Sequence, residues 1–166
     1  ISNLEGVEPL MFVSPTKGSV TLEDMILDLH AFVQADPDAQ YKIVIGTDSH
    51  TTRKYTTLIT AVIIHRIGRG ARFFYSRKNS RPLNDLRTRI YKETELSLEL
   101  VDVLNRKGMD QLLSQWPLEI HIDIGQQGET KALIQEICGW VTSVGYEARI
   151  KPLSFGASSV ADRFAE

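Results

Sequence analysis

The order of apolar segments along this chain restricts its fold more than any other feature of the sequence. Strand patterns rich in β-branched residues alternate with helix patterns, in which apolar residues recur every three or four positions. In chain order they are a helix at 21–36, strands at 41–47, 55–65 and 71–77, a helix at 85–107, a strand at 118–124, a helix at 129–144, a strand at 147–153 and a helix at 158–165. The close succession of the first three strands predicts an antiparallel meander. The later strand–helix–strand units predict parallel pairing with right-handed crossovers.

These elements predict an α/β fold. Its mixed five-stranded sheet has three antiparallel strands plus two parallel ones, is flanked by helices, and carries an extra N-terminal helix. Thr21 and Asp24 form a capping-box pattern at the start of that first helix. Residues 1–20 contain proline and glycine and are predicted to be an irregular lead-in. Because 166 residues suit one domain of ordinary size, residues 21–166 are predicted to form a single domain.

Composition excludes several classes of protein. Hydrophobic residues make up 42% of the chain and charged residues 24%, as in soluble globular proteins rather than disordered or fibrous ones. The longest apolar run, 58–64, is far shorter than the roughly 20 residues that span a bilayer, so no membrane association is predicted. Cys138 is the single cysteine, which excludes an internal disulfide and a cysteine cage for zinc. A cytoplasmic location is therefore predicted, and the sequence leaves the oligomeric state open.

Two aspartates follow strongly apolar strand sequence. Asp48 ends the first predicted strand, in IGTDSH, and Asp123 lies near the end of the fourth, in HIDIG. If these two strands are neighbours, the carboxylates lie side by side, where they repel each other and resist ionisation. A bound divalent cation removes that cost, and oxygen ligands favour Mg²⁺ or Mn²⁺ over zinc. The structural alternative is that loop amides satisfy each aspartate.

Two other acids and two histidines are further candidates. Glu93 lies on or near the inward stripe of its helix, where an acid needs a partner or a metal unless that face is partly exposed. Asp162 fits either a ligand on the last helix or a capping residue of that helix. His50 and His121 lie near the two aspartates in the sequence. Each is a candidate proton shuttle or extra ligand, and an ordinary hydrogen-bonded histidine is the structural alternative.

Charge is distributed unevenly along the chain. The segment 65–92 contains nine Lys or Arg and one acid, a net charge of +8, while the whole chain carries −2 and the remainder therefore −10. Such segregation suits a polyanion such as a nucleic-acid backbone, and a solvated basic face is the structural alternative. The candidate nucleic-acid-binding residues are Arg66, Arg69, Arg72, Arg77, Lys78 and Arg81.

The order of elements and acids resembles that of a ribonuclease H-like domain. In that superfamily, acids on the first strand, the first crossover helix, the fourth strand and the last helix hold two metal ions. More narrowly, the chain is similar to the YkuK family of small bacterial proteins, which are predicted to be ribonuclease H-like. The resemblance covers nearly the whole chain after residue 20. Its matching stretches are YKIVIGTDSH (41–50), Glu93-Thr94, HIDIG (121–125), Lys151-Pro152 and Ala157-Ser158-Ser159.

The resemblance implies a metal-dependent nuclease acting on RNA or DNA. Asp48, Glu93, Asp123 and Asp162 fall in the four acidic places of the superfamily and would bind two Mg²⁺ or Mn²⁺ ions. Phosphodiester hydrolysis would follow the two-metal mechanism, in which one ion activates a water and the other stabilises the leaving oxygen. Two alternatives stay open at this point. One is a non-catalytic nucleic-acid-binding or assembly domain of the same fold, and the other is an actin-like ATPase.

Overall fold

The described chain is built around one mixed sheet. The computed structural model describes residues 10–151 and 153–154. Its seven strands are β1 (Met11–Ser14), β2 (Gly18–Thr21), β3 (Tyr41–Thr51), β4 (Thr56–Arg66), β5 (Ala71–Ser80), β6 (Leu118–His121) and β7 (Glu147–Arg149). Their spatial order is β2-β1-β5-β4-β3-β6-β7. The meander β3-β4-β5 is antiparallel, while β6 pairs in parallel with both β3 and β7. The mixed α/β architecture is therefore confirmed, but the predicted five strands are too few.

The two additional strands come from the segment predicted to be irregular. β1 and β2 form an antiparallel hairpin, and Val13 of β1 pairs with Tyr75 of β5. Phe12 is fully buried in the main core, which attaches the hairpin to the rest of the sheet. Each strand is four residues long, too short to produce a recognisable alternation in the sequence.

Four α-helices pack against the sheet in the described part of the chain. They are α1 (Leu22–Gln34), α2 (Leu86–Leu104), α3 (Asp110–Gln115) and α4 (Lys131–Ser143). The Thr21 hydroxyl accepts a hydrogen bond from the amide of Asp24 at 3.1 Å, so the predicted cap of α1 is confirmed. Gly108 has a φ of 112°, which breaks the helical path between α2 and α3. None of the described helices is both long and apolar enough to cross a bilayer.

The topology places three chain segments at one edge of the sheet, which we call the site edge. β3 and β6 are parallel, so their carboxyl ends lie at this edge together. β5 ends there as well, because Ser80 pairs with Thr56 at the start of β4, and α2 begins shortly afterwards. The Ser97 and Thr47 hydroxyls form a 2.8 Å hydrogen bond that holds α2 against β3. Acidic side chains on β3, on α2 and after β6 therefore meet at the site edge.

The predicted helix at 158–165 lies outside the described residues, as do residues 1–9 of the predicted lead-in. The boundary of the predicted single domain at 21–166 stays a prediction. The hairpin β1–β2 nevertheless belongs to the same sheet as the rest, so the described part of the lead-in is structurally continuous with the domain.

Candidate functional site

Three of the predicted acids come together at the site edge. Asp48 lies on β3, Glu93 lies on α2, and Asp123 follows β6 by two residues. Each offers one carboxylate oxygen, and the three oxygens lie within 4.8 Å of one another. Glu93 is buried, while the two aspartates are partly exposed. The three side chains therefore form one compact cluster of oxygen ligands, open on the side of the aspartates.

The hydrogen bonds to the Glu93 carboxylate in the described structure are all made to one of its two oxygens. Its Oε2 accepts hydrogen bonds from the Ser49 hydroxyl and from Arg89 Nη1, the latter at 3.0 Å. Its Oε1 is buried without a hydrogen-bond partner among the described residues, and the side chain is 4% exposed. Leaving a buried polar atom unsatisfied costs about 1–3 kcal/mol, and more for a charged group. This oxygen is therefore available as a ligand to a cation.

Two cations lie beside the acids. Lys151 Nζ is 2.7 Å from Asp123 Oδ1, and Arg89 Nη1 is 3.9 Å from Asp123 Oδ2. Arg89 therefore bridges Asp123 and Glu93, since it also pairs with Glu93. Neither cation is among the site residues predicted from the sequence. Arg89 precedes Glu93 by four residues, a spacing that places both on one helix face and makes this pair recognisable in the sequence.

Burial and mutual repulsion change the pKa values of the cluster. Burial, together with the neighbouring Asp123, raises the pKa of Asp48 to about 7. Burial raises the pKa of Glu93 to about 8, although Ser49 and Arg89 act in the opposite direction. For Asp123, burial is outweighed by the hydrogen bond with Asp48 and by Lys151, so its pKa lies below its usual value. In the metal-free protein below about pH 7, Asp48 therefore carries a proton beside the ionised Asp123.

This donor set fits a hard divalent cation. All the clustered ligand atoms are carboxylate oxygens, which suit Mg²⁺ and Mn²⁺ better than softer metals. A divalent charge would allow Asp48 and Glu93 to ionise together and would satisfy the unpaired Oε1 of Glu93. The geometry therefore supports a site for one divalent ion among the described residues. A second ion, which the resemblance implies, needs further ligands.

Comparison with known proteins identifies the family of this chain. The model of a family described as ribonuclease H-like matches residues 24–166. The chain belongs to the ribonuclease H-like family. It is also 41% identical, over 172 aligned positions, to a protein of Bacillus subtilis (strain 168) named "Uncharacterized protein YkuK". That alignment covers 96% of this chain and 99% of the relative, which confirms the similarity to YkuK-type proteins. No solved structure matches the chain significantly.

The predicted fourth acid of the ribonuclease H-like pattern, Asp162, lies outside the described residues. Its two alternative roles, as a metal ligand or as the cap of the last predicted helix, stay predictions. The matching stretch Ala157-Ser158-Ser159 lies outside them too, whereas Lys151 of the stretch Lys151-Pro152 contacts Asp123 directly.

The two histidines near the carboxylate cluster occupy different environments. His121 is buried, and its Nε2 lies 3.0 Å from Glu119 Oε1. Burial lowers the pKa of His121, so its imidazole is neutral at physiological pH. His50 is exposed and lies two residues beyond Asp48 on the same strand. The group of atoms within 4.8 Å contains neither histidine, and auxiliary roles for both stay predictions.

The fold divides the predicted basic segment between two ends of the sheet. Arg66 pairs with Tyr41 in the sheet, and seven residues, or about 23 Å of strand, separate Tyr41 from Asp48. Arg66 and Arg69 form ion pairs with Asp36 after α1. Arg72 similarly pairs with Asp28 of α1. The structure therefore does not bring these three arginines to the carboxylates.

The other three predicted cations lie at the site edge. Arg77 of β5 is the cross-strand partner of Ile59 of β4, and Ile59 is the cross-strand partner of Asp48 of β3. The three residues therefore form one row across the meander. Lys78 lies in the next row, and Arg81 follows the end of β5 directly. All three side chains are exposed. Of the basic residues predicted to bind nucleic acid, these are the ones that lie at the same edge of the sheet as the carboxylates.

Arg66 is expected to contribute to stability rather than to binding. Its guanidinium donates to the Phe32 carbonyl at 2.6 Å and lies 4.0 Å above the centre of the Phe32 ring. Replacing Arg66 with methionine should lower the free energy of unfolding by about 2 kcal/mol, because these contacts to α1 are lost. Chemical denaturation measures this loss. Nucleic-acid affinity of the folded variant should be unchanged, and a clear loss of affinity would return Arg66 to the binding surface.

Proposed function

We propose that this protein is a metal-dependent nuclease that hydrolyses phosphodiester bonds of RNA or DNA. One observation carries the proposal. In a ribonuclease H-like chain, the carboxylates of Asp48, Glu93 and Asp123 converge within 4.8 Å, and a buried oxygen of Glu93 has no hydrogen-bond partner in the described part of the chain. Ribonuclease H-like folds also serve proteins without nuclease activity, so the argument depends on this site and not on the fold.

Each part of the site has a chemical task in the proposed reaction. Asp48, Glu93 and Asp123 would hold Mg²⁺ or Mn²⁺, which would supply Lewis-acid stabilisation of phosphate charge and an activated water. Arg89 pairs with Glu93 and Asp123, Lys151 pairs with Asp123, and both add positive charge where a phosphate would approach. Asp162 is proposed as a ligand of the second ion that the two-metal mechanism requires.

A non-catalytic nucleic-acid-binding or assembly domain is the second candidate function. One observation favours it: Arg89 and Lys151 already place two positive charges beside the three acids. A site neutralised in this way can persist without a metal. A plain binding domain would then bind nucleic acid equally well with and without a divalent cation and would cleave none.

A substrate panel tests the proposed activity. Labelled single-stranded RNA, duplex DNA, an RNA–DNA hybrid and a four-way junction are each incubated with the protein and Mg²⁺, Mn²⁺ or EDTA. We expect cleavage of at least one substrate with a divalent ion and none with EDTA. Absence of cleavage throughout, together with no Mn²⁺ binding by calorimetry, would favour the non-catalytic domain.

Ser49 is expected to position Glu93 for the metal. Its hydroxyl donates to Glu93 Oε2 and opposes the rise in the pKa of that carboxyl. Replacing Ser49 with alanine should weaken Mn²⁺ binding by about 10-fold to 100-fold, because residues that orient metal ligands have effects of this size. Calorimetric titration measures the change. Ser114→Ala on α3 is the matched control, and equal affinities of the two variants would exclude a positioning role.

A further inference from the structure

The lysines and arginines of this protein differ in whether they are already paired with acids. Most of those that the structure describes lie within 4.0 Å of a carboxylate, as Arg66, Arg72 and Arg87 do. Some cations, by contrast, have no ion pair with any described residue. These are Arg53, Lys54, Lys78, Arg81, Lys107 and Lys131, all of them exposed. Their charge is therefore available to an external partner.

Four of these unpaired cations lie together at the end of the meander. Arg53 and Lys54 are in the turn that joins β3 to β4. Lys78 lies near the end of β5, and Arg81 follows that strand by one residue. The turn begins four residues after Asp48, a distance of about 13 Å along the strand. We call Arg53, Lys54, Tyr55, Lys78 and Arg81 the hairpin-end surface.

Tyr55 places an aromatic ring within this charged surface. The turn is closed by the Thr52 amide, which donates to the Tyr55 carbonyl at 2.8 Å, and by the Thr52 hydroxyl, which donates to the same carbonyl at 3.1 Å. Tyr55 is nevertheless 39% exposed, which is high for a large aromatic residue. A fixed turn thus presents an aromatic ring beside two cations, the combination that single-stranded nucleic acids bind through phosphate contacts and base stacking.

We propose that the hairpin-end surface binds a single-stranded polynucleotide and directs it toward the carboxylates. Stacking on Tyr55 requires a base whose face is free, and in a duplex the faces are covered by neighbouring base pairs and only the edges are accessible. The four cations supply sequence-independent contacts to the phosphates on either side. This inference rests on the proposed nuclease function and adds the substrate class, a strand that is unpaired where it meets the protein.

Binding can be tested without catalysis. Fluorescence anisotropy in EDTA compares a labelled single-stranded oligonucleotide with a duplex of the same sequence, for the wild-type chain and for the double variant Arg53→Gln/Lys54→Gln. We expect the double variant to bind the single strand about 10-fold more weakly and to reduce the slope of log affinity against log salt by about 1.4. Tyr55→Leu should lose about 10-fold for the single strand and little for the duplex.

Lys107→Gln is the matched control, because Lys107 is also exposed and unpaired among the described residues but follows α2 at its other end. It should bind like the wild type. The proposal is overturned if the double variant binds like the wild type, if Tyr55→Leu has no effect, or if the duplex binds as tightly as the single strand. Because no cleavage is measured, this binding result does not depend on whether the protein is a nuclease. If the protein cleaves nucleic acid but the variants bind it like the wild type, the hairpin-end surface is refuted and the nuclease proposal is not.

Discussion

Asp48→Asn is expected to reduce metal-dependent cleavage by at least about 10³-fold while the protein stays folded. The amide has nearly the same shape as the carboxylate but no charge, so it binds a divalent cation poorly. Asp48 also belongs to the hydrogen-bonded pair with Asp123, and the amide can take over that contact without a shared proton. The measurement is the cleavage rate of whichever panel substrate the wild-type protein cuts, at saturating Mn²⁺.

Two comparisons make this result specific. Asp38→Asn, at an exposed position between α1 and β3, removes an equal charge far from the cluster and should leave the rate unchanged. Calorimetric titration of Asp48→Asn should show Mn²⁺ binding that is much weaker than in the wild type. Cleavage retained by Asp48→Asn would point to a contaminating nuclease and would contradict the assignment of the site.

Stability of the metal-free protein is expected to fall as the pH rises from about 5 to about 8. Burial raises the pKa of Asp48 to about 7 and that of Glu93 to about 8, whereas both are near 4 in the unfolded chain. Between those values the folded state holds more protons than the unfolded state, so the free energy of unfolding decreases with pH. Each carboxyl contributes a slope of up to about 1.4 kcal/mol per pH unit.

Denaturation in EDTA across this pH range tests the expectation. Glu93→Gln should flatten the curve and raise stability at pH 8, because the buried neutral amide no longer has to ionise. Mn²⁺ should restore stability to the wild-type protein at pH 8 and much less to Glu93→Gln. A wild-type stability that is constant or increases between pH 5 and 8 would contradict the raised pKa values.

Strong periodicity explains which parts of the fold are predictable from the sequence. The long strands β3, β4 and β5 and the helices α2 and α4 each repeat their pattern several times, so the meander and the parallel crossovers follow from the sequence alone. β1 and β2 have four residues each and form a strand pair only because Phe12 is buried and Val13 pairs with β5. Tertiary contacts, which a local pattern does not contain, decide these two strands.

The same distinction applies to the candidate site. Asp48 and Asp123 are recognisable because each acid interrupts an apolar strand pattern near its end. The contact between Lys151 and Asp123 depends on the register of β7 against β6, which no spacing in the sequence reveals. Likewise, the basic segment looks continuous in the sequence, but β4 and β5 separate Arg66 and Arg81 to opposite ends of the sheet.

The strands that carry the site differ greatly in length. Asp48 lies on β3, which has eleven residues and pairs with β4 along all of them. Asp123 and Lys151 follow β6 and β7, which have four and three residues. Amide hydrogens of β3 should therefore exchange with solvent only on global unfolding, whereas those of β6 and β7 can exchange through local opening. Such an opening would detach one aspartate and its lysine from the cluster while Asp48 and Glu93 keep their places.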